Sequence, residues 1–177
     1  MTDLVILATL LPGPKHGYQL KREAGFILGQ EVIHNNLVYP LLRRFSQQGW
    51  VTKKTVPGER GQTRHQYALT ALGRKTLLER LSEYTEADAR SQEGFLTRIG
   101  LFQLLDPAVR EKVLDRRAAR LQKTAAHLAA IKKHFPLDLY ATETTEFLYR
   151  QVQGELRWIE HLRKIRKHQL PRREPCT

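Results

Sequence analysis

Apolar positions along the chain recur mainly at three- and four-residue steps, with two short runs of a different character between the third and fourth helical stretches. Residues 3–11 hold Leu4, Leu7, Ala8 and Leu11 at helical spacing, and Pro12-Gly13-Pro14 stops that helix. Lys15-His16-Gly17-Tyr18 opens a second helix, with Leu20, Ala24 and Ile27 or Leu28 as its inner stripe. A connection over residues 29–34, anchored by Val32 and Ile33, leads to a third helix over residues 35–49. There Leu37, Leu41, Leu42 and Phe45 share the side that points into a core. Asn35 or Asn36 is its expected cap, and Gly49 the left-handed residue that ends it.

The next two runs are short and strand-like. Val51 through Lys53-Lys54-Thr55 is followed by the turn residues Pro57-Gly58 and Gly61, then by Arg64-His65-Gln66-Tyr67-Ala68-Leu69. Thr70 caps a fourth helix that runs through Leu77, Leu78 and Leu81. Residues 85–93 are polar and suit a linker or exposed helical connection, which sets a domain boundary near Ala87. Beyond it, Phe95 to Leu105 is dense in large apolar residues. Asp106-Pro107 starts a long helix whose Leu114, Ala118, Leu121, Ala125, Leu128, Ile131 and Phe135 form a coiled-coil-like seam. Pro136 ends that helix. A last helix begins around Thr142 with a seam of Leu148, Val152, Leu156, Ile159, Leu162 and Ile165. Two long helices with this much apolar surface, joined by a short turn, are expected to pair with a second copy of themselves.

The outer side of the third helix carries Asn35, Asn36, Tyr39, Arg43 and Arg44, residue types that reach base edges and phosphates in a DNA groove. A helix followed by strand, basic glycine-rich turn and strand is the order of a winged helix-turn-helix, in which the hairpin supplies Lys53, Lys54, Arg60, Arg64 and His65 to the DNA backbone. A solvated basic face on an ordinary amphipathic helix is the plainer alternative for the helix by itself.

Four ordered segments carry a family resemblance: Leu10-Leu11-Pro12-Gly13-Pro14-Lys15-His16-Gly17-Tyr18-Gln19-Leu20, Val38-Tyr39-Pro40-Leu41-Leu42-Arg43-Arg44, Gln48-Gly49-Trp50-Val51 and Tyr67-Ala68-Leu69-Thr70-Ala71-Leu72-Gly73-Arg74. In order and spacing they resemble the PadR family of bacterial transcriptional regulators, over roughly the first eighty residues. The remainder is similar to the longer subtype of that family that resembles virulence-gene activators, through Glu93-Gly94-Phe95-Leu96 and the Leu148-Tyr149-Arg150 to Trp158-Ile159 stretch. The resemblance implies a mainly α fold with a small β-hairpin wing: a winged helix-turn-helix over 1–86, an all-helical coiled-coil-like dimerisation domain over 87–170 and a tail over 171–177. It also implies that the start of the second helix approaches phosphate, which brings in Lys15 and Tyr18. His34-Asn35-Asn36 stands where family members often carry Ser or Thr, a departure at the positions nearest the bases.

Charge agrees with a polyanionic partner. The formal net charge is +12 and the sequence pI about 10.1; residues 1–80 hold twelve Lys and Arg against five Asp and Glu, the rest eighteen against thirteen. No basic amphipathic helix with bulky anchors, lipidation motif, spanning segment or secretory signal stands out, so membrane binding is not expected and a cytoplasmic location is. Cys176, alone near the end, is expected to be inert. Glycine phosphate loops, zinc-protease helices, nucleophile elbows and paired-cysteine motifs are missing from the sequence, and no enzyme or cofactor is expected. His127 with His134 and His161 with His168 share helix faces, but without a carboxylate at ligand spacing no metal site is expected.

The expected function is that of a homodimeric regulator binding double-stranded DNA at a palindromic site, with repression as the expected direction. The dimer would be held by Leu114, Leu121, Leu128, Ile131, Leu148, Val152, Leu156, Ile159 and Leu162. Members of the resembling family often bind planar aromatic effectors. Phe95, Phe102, Phe147, Tyr149 and Trp158 are the candidates to line such a pocket here, with core or dimer packing the commoner role for aromatics at this spacing. The alternative function is a winged-helix protein-interaction module whose basic face meets an acidic partner.

Overall fold

The computed structural model describes residues 2–28, 33–57 and 63–167. Two compact units divide the chain, 1–109 and 110–177.

In the first unit, helix α1 (Thr2–Thr9) is buried from Leu4 to Thr9, as a helix apolar all round must be. Strand β1 (Lys15–His16) precedes helix α2 (Gly17–Leu28), so Lys15 and His16 are a strand, not the opening turn that the sequence predicts. Their backbone pairs with Tyr67 and Gln66 across the chain, a long-range pairing that has no local signature in two residues. Helix α3 (Asn35–Gln47) and strands β2 (Val51–Pro57) and β3 (Thr63–Leu69) follow, in an antiparallel sheet of order β1-β3-β2. In the β2–β3 register Lys53 faces Tyr67, Lys54 faces Gln66 and Thr55 faces His65. Helix α4 (Ala71–Ser82) starts at the Thr70 cap, whose hydroxyl accepts from the Gly73 amide at 3.0 Å.

The α3 terminus is built by its own residues. Gly49 takes φ 72°, its amide donates to Ser46 O at 3.2 Å, and the Trp50 amide reaches back to Phe45 O at 2.9 Å. This is a Schellman ending, and the hydrophobic contact that goes with it is Phe45 against Trp50, ring centroids 5.6 Å apart. At the other end His34, not an asparagine, is the N-cap, and its side chain makes no capping bond. The buried stripe of α3 is Val38, Leu42 and Phe45 with Leu41 half-buried; Leu37, expected inward, is exposed. Successive inward positions at 38, 42 and 45 keep the 3.6-residue period, and Leu37 falls outside it.

Residues 85–93, expected to form a linker or an exposed helical connection, form the second: they are mostly helical and mostly exposed. Thr85 and Asp88 make a reciprocal capping box on helix α5 (Glu86–Arg90), and Ser91 caps helix α6 (Gln92–Gly100). Arg98 is buried, donating to Glu83 O at 2.8 Å and lying 3.3 Å from Asp88 Oδ2. Leu101 and Leu105, with half-buried Phe102, Leu104 and Val109, join the core of α1–α4, which is why this unit extends past Ala87.

The second unit is an antiparallel helical hairpin. Helix α7 (Pro107–His134) contributes its residues from Arg110 onward, and helix α8 (Leu139–Lys167) starts three residues before the predicted Thr142 because Asp138 Oδ1 accepts from the Ala141 amide at 2.8 Å. Arg117 and Glu155 form a buried two-pronged ion pair at 2.7 and 2.9 Å between the helices. Lys132 with Glu146, and Arg163 with Asp115 and Glu111, pair further out. Leu114, Leu121, Leu128 and Ile159 are buried within this hairpin; Ile131, Val152, Leu156 and Leu162 are half-buried and Leu148 is exposed.

Candidate nucleic-acid interface

Exposed Tyr39 lies one turn along α3, and Arg43 follows it one turn later. Together with Leu42, Ser46, Gln47, Lys53, His65 and Tyr67 they line a groove of about 530 Å³ between α3 and the β2–β3 hairpin. The strand register explains its far wall: Lys53 and Tyr67 are directly opposite, and His65 is two residues from Tyr67, so all three belong to one face of the hairpin. Lys54, one residue from Lys53, belongs to the other face. A second hollow of about 280 Å³ adjoins it, lined by His16, Gly17, Tyr18, Tyr39, Arg64, His65 and Tyr67. Tyr39, His65 and Tyr67 border both.

The neighbours of this surface hold it in shape. His16 Nδ1 lies 3.2 Å from His65 O, tying β1 to the hairpin, and the His16 amide donates to Gln19 Oε1 at 2.9 Å. Burial, with the Tyr39 phenol adding to it, pushes Tyr67 above its ordinary value. A tyrosine hydroxyl is a donor suited to a phosphate oxygen. Tyr67 is itself 5% exposed.

The residues singled out from sequence divide accordingly. Tyr39, Arg43, Lys53 and His65 meet in the groove, and Tyr18 and Arg64 join at the adjoining hollow. Asn36 is exposed at the start of α3, and Asn35 is the first helical residue. Arg44 lies elsewhere, 4.0 Å from Asp3 Oδ2 and over the Phe45 ring. Lys15 is half-buried and ion-paired with Glu23 of its own domain. Arg60 lies outside the described residues. Ser46, Gln47, Tyr67 and His16 were not predicted. Gln47 is two turns from Tyr39 on the same face and could have been read from that spacing; Tyr67 and His16 needed the strand register.

The proposed effector aromatics fall in different units. Phe95 is fully buried and Phe102 packs on the winged core. Phe147 is exposed on α8, and Tyr149, on the same helix, lies beneath Lys132 at 5.8 Å. Among the described residues, no group of three His, Cys, Asp or Glu is placed to hold a metal ion, and no helix is long and apolar enough to cross a membrane. His168 lies outside the described residues.

Residues 6–79 match the family model described as "Transcriptional regulator PadR-like family", and residues 91–166 the one described as "Virulence activator alpha C-term". A comparison with curated proteins gives no match. Among solved structures, a PadR family transcriptional regulator from Eggerthella lenta is 30% identical, over 44% of this chain and 65% of that one, with a TM-score of 0.39. A transcriptional regulator from Clostridium thermocellum is 24% identical over 44% of this chain and 76% of its own, TM-score 0.40. Bacillus subtilis PadR in complex with operator DNA is 17% identical over 90% of this chain and 95% of its own, TM-score 0.46.

Proposed function

Through residues 6–79 the chain belongs to the PadR-like family of transcriptional regulators, and from that premise we propose that it is a homodimeric repressor reading a palindromic operator. The family is one of regulators, not of enzymes. The observation that carries the proposal is the groove in which Tyr39 and Arg43 of the recognition helix face Lys53 and His65 of the wing. With α3 in the major groove, the phosphate backbone between major and minor grooves would run along that channel. Asn35, Asn36 and Tyr39 would then meet base edges or adjacent phosphates, and Arg43, Lys53 and Arg64 would neutralise phosphates. Lys54 of the wing, and Tyr18 at the start of α2, would serve the flanking backbone, and Arg60, outside the described residues, is proposed for the same role from the sequence.

Dimerisation through the helical region, over 87–170, is supported by apolar side chains that a single chain leaves uncovered. Phe135 is 63% exposed, Tyr140 82% and Phe147 59%, and Leu139, Leu148 and Ile165 are exposed with them. A small aromatic effector would act here through Phe147, Tyr149 and Trp158, which share one helix. Sedimentation of the protein alone and with a bound duplex tests the assembly. Two copies in both states are expected. A monomer that binds DNA singly would remove the palindrome from the proposal.

A further inference from the structure

Gly17 begins α2, and no left-handed backbone angle there calls for glycine. What fills the place of its missing side chain is the phenol of Tyr39. A Cβ at Gly17 would lie 3.0 Å from Tyr39 Cε1, 3.1 Å from Tyr39 Oη and 3.4 Å from Tyr39 Cζ. The ring edge of an exposed recognition-helix residue is thus laid against the backbone at the start of a different helix. An exposed tyrosine would otherwise sample several rotamers, and any one useful geometry would have to be selected on binding. Here one geometry is held in advance, and it is the one that makes Tyr39 the wall between the two hollows.

We infer that Gly17 is a positioning residue for DNA recognition: by lacking a side chain it lets the Tyr39 ring dock against α2, which aims the Tyr39 hydroxyl beside Tyr67 at the junction of the groove and the hollow. The inference rests on the DNA-binding reading for its consequence, but the contact itself exists without DNA. An alanine methyl at Gly17 meets only the side chain of Tyr39, which is 42% exposed, so the ring yields before the fold does. Its rotation into the groove changes what a phosphate or base would find there.

The test uses the full-length protein labelled with 3-fluorotyrosine. Its six tyrosines give separate fluorine resonances, and Tyr39→Phe identifies the one that matters. In the absence of DNA, Gly17→Ala moves the Tyr39 resonance and leaves those of Tyr84 and Tyr149 in place. Affinity for a duplex recovered by selection falls about fivefold to tenfold, the size expected of a lost contact coupling. In a Tyr39→Ala background the same Gly17→Ala change alters affinity by less than about twofold, because its effect is coupled to the missing ring, whereas independent sites would add and keep the full loss. If Gly17→Ala by itself melts early, the double variant melts like Tyr39→Ala, because the ring is no longer there to be displaced. An unmoved Tyr39 resonance, or an equal loss of affinity in the Tyr39→Ala background, overturns the inference. A moved resonance in a protein that binds no duplex at all leaves the positioning intact and removes the DNA-binding reading.

Discussion

An ideal Cβ on Gly73 would sit 2.1 Å from the Trp50 carbonyl oxygen and 2.9 Å from Leu69 Cδ1. That carbonyl also accepts from the Thr70 amide and hydroxyl, at 3.0 and 3.1 Å. Gly73→Ala must therefore push apart the end of α3 and the start of α4, and a loss of roughly 1–3 kcal/mol in unfolding free energy is expected by chemical denaturation. At the surface, Arg64→Ala should weaken binding to all duplexes alike and lower the magnitude of the salt slope by about one unit, as a lost phosphate contact does. Loss of one operator alone, with the salt slope kept, would assign Arg64 to base reading instead. Residue types were legible here and partners were not. Arg43 and Arg44 look equivalent in sequence, but neighbours on a helix are turned about 100° apart, so one lines the groove while the other lies beside Asp3. Tyr67 is legible in sequence only as part of a strand-like run and a family segment, and the register is what places it opposite Lys53.

The elements that could be read best were those with their own punctuation. Gly49 ends α3, Thr70 caps α4 and Pro107 opens α7, each a local signal that the folded chain uses. Lys15–His16 became a strand through a partner some fifty positions away, which periodicity cannot show. The polarity of residues 85–93 suits a linker and an exposed helical connection alike, and in the folded chain it is the polarity of caps: Thr85 with Asp88, then Ser91 with the Gly94 amide. The first cap has a pH signature. Burial raises the Asp88 carboxyl, but hydrogen bonds from Thr85 and the Arg98 guanidinium outweigh it and hold the group below its ordinary value of 3.8. A depressed carboxylate contributes stability above that ordinary value and loses it as pH falls through the lowered folded one. Asp88→Asn, which keeps a capping acceptor but no charge, should melt below wild type at pH 7, with the gap closing below about pH 4. A gap that stays constant with pH would mean that the charge adds nothing to the cap.

For the whole molecule, the net charge of +12 divides between the winged part and the helical remainder, and a dimer would carry twice that to DNA. Such a charge alone gives salt-dependent binding without sequence preference. Readout of sequence requires the polar side chains of α3, and readout of a palindrome requires two copies held about one helical turn apart. The apolar residues left uncovered on the α7–α8 hairpin are the reason to expect two copies, although Leu114, Leu121, Leu128 and Ile159 of the predicted seam are already buried within one chain. Sequence periodicity identifies which helix faces are apolar, but it does not say whether the same chain or a second one covers them. The most direct measurement is selection of bound sequences from random duplex DNA by the purified full-length protein at two salt concentrations. An inverted repeat with half-sites about one turn apart, enriched at both, is the predicted result. Retention that falls with salt and enriches no motif would contradict specific reading by a dimer and leave only the basic surface.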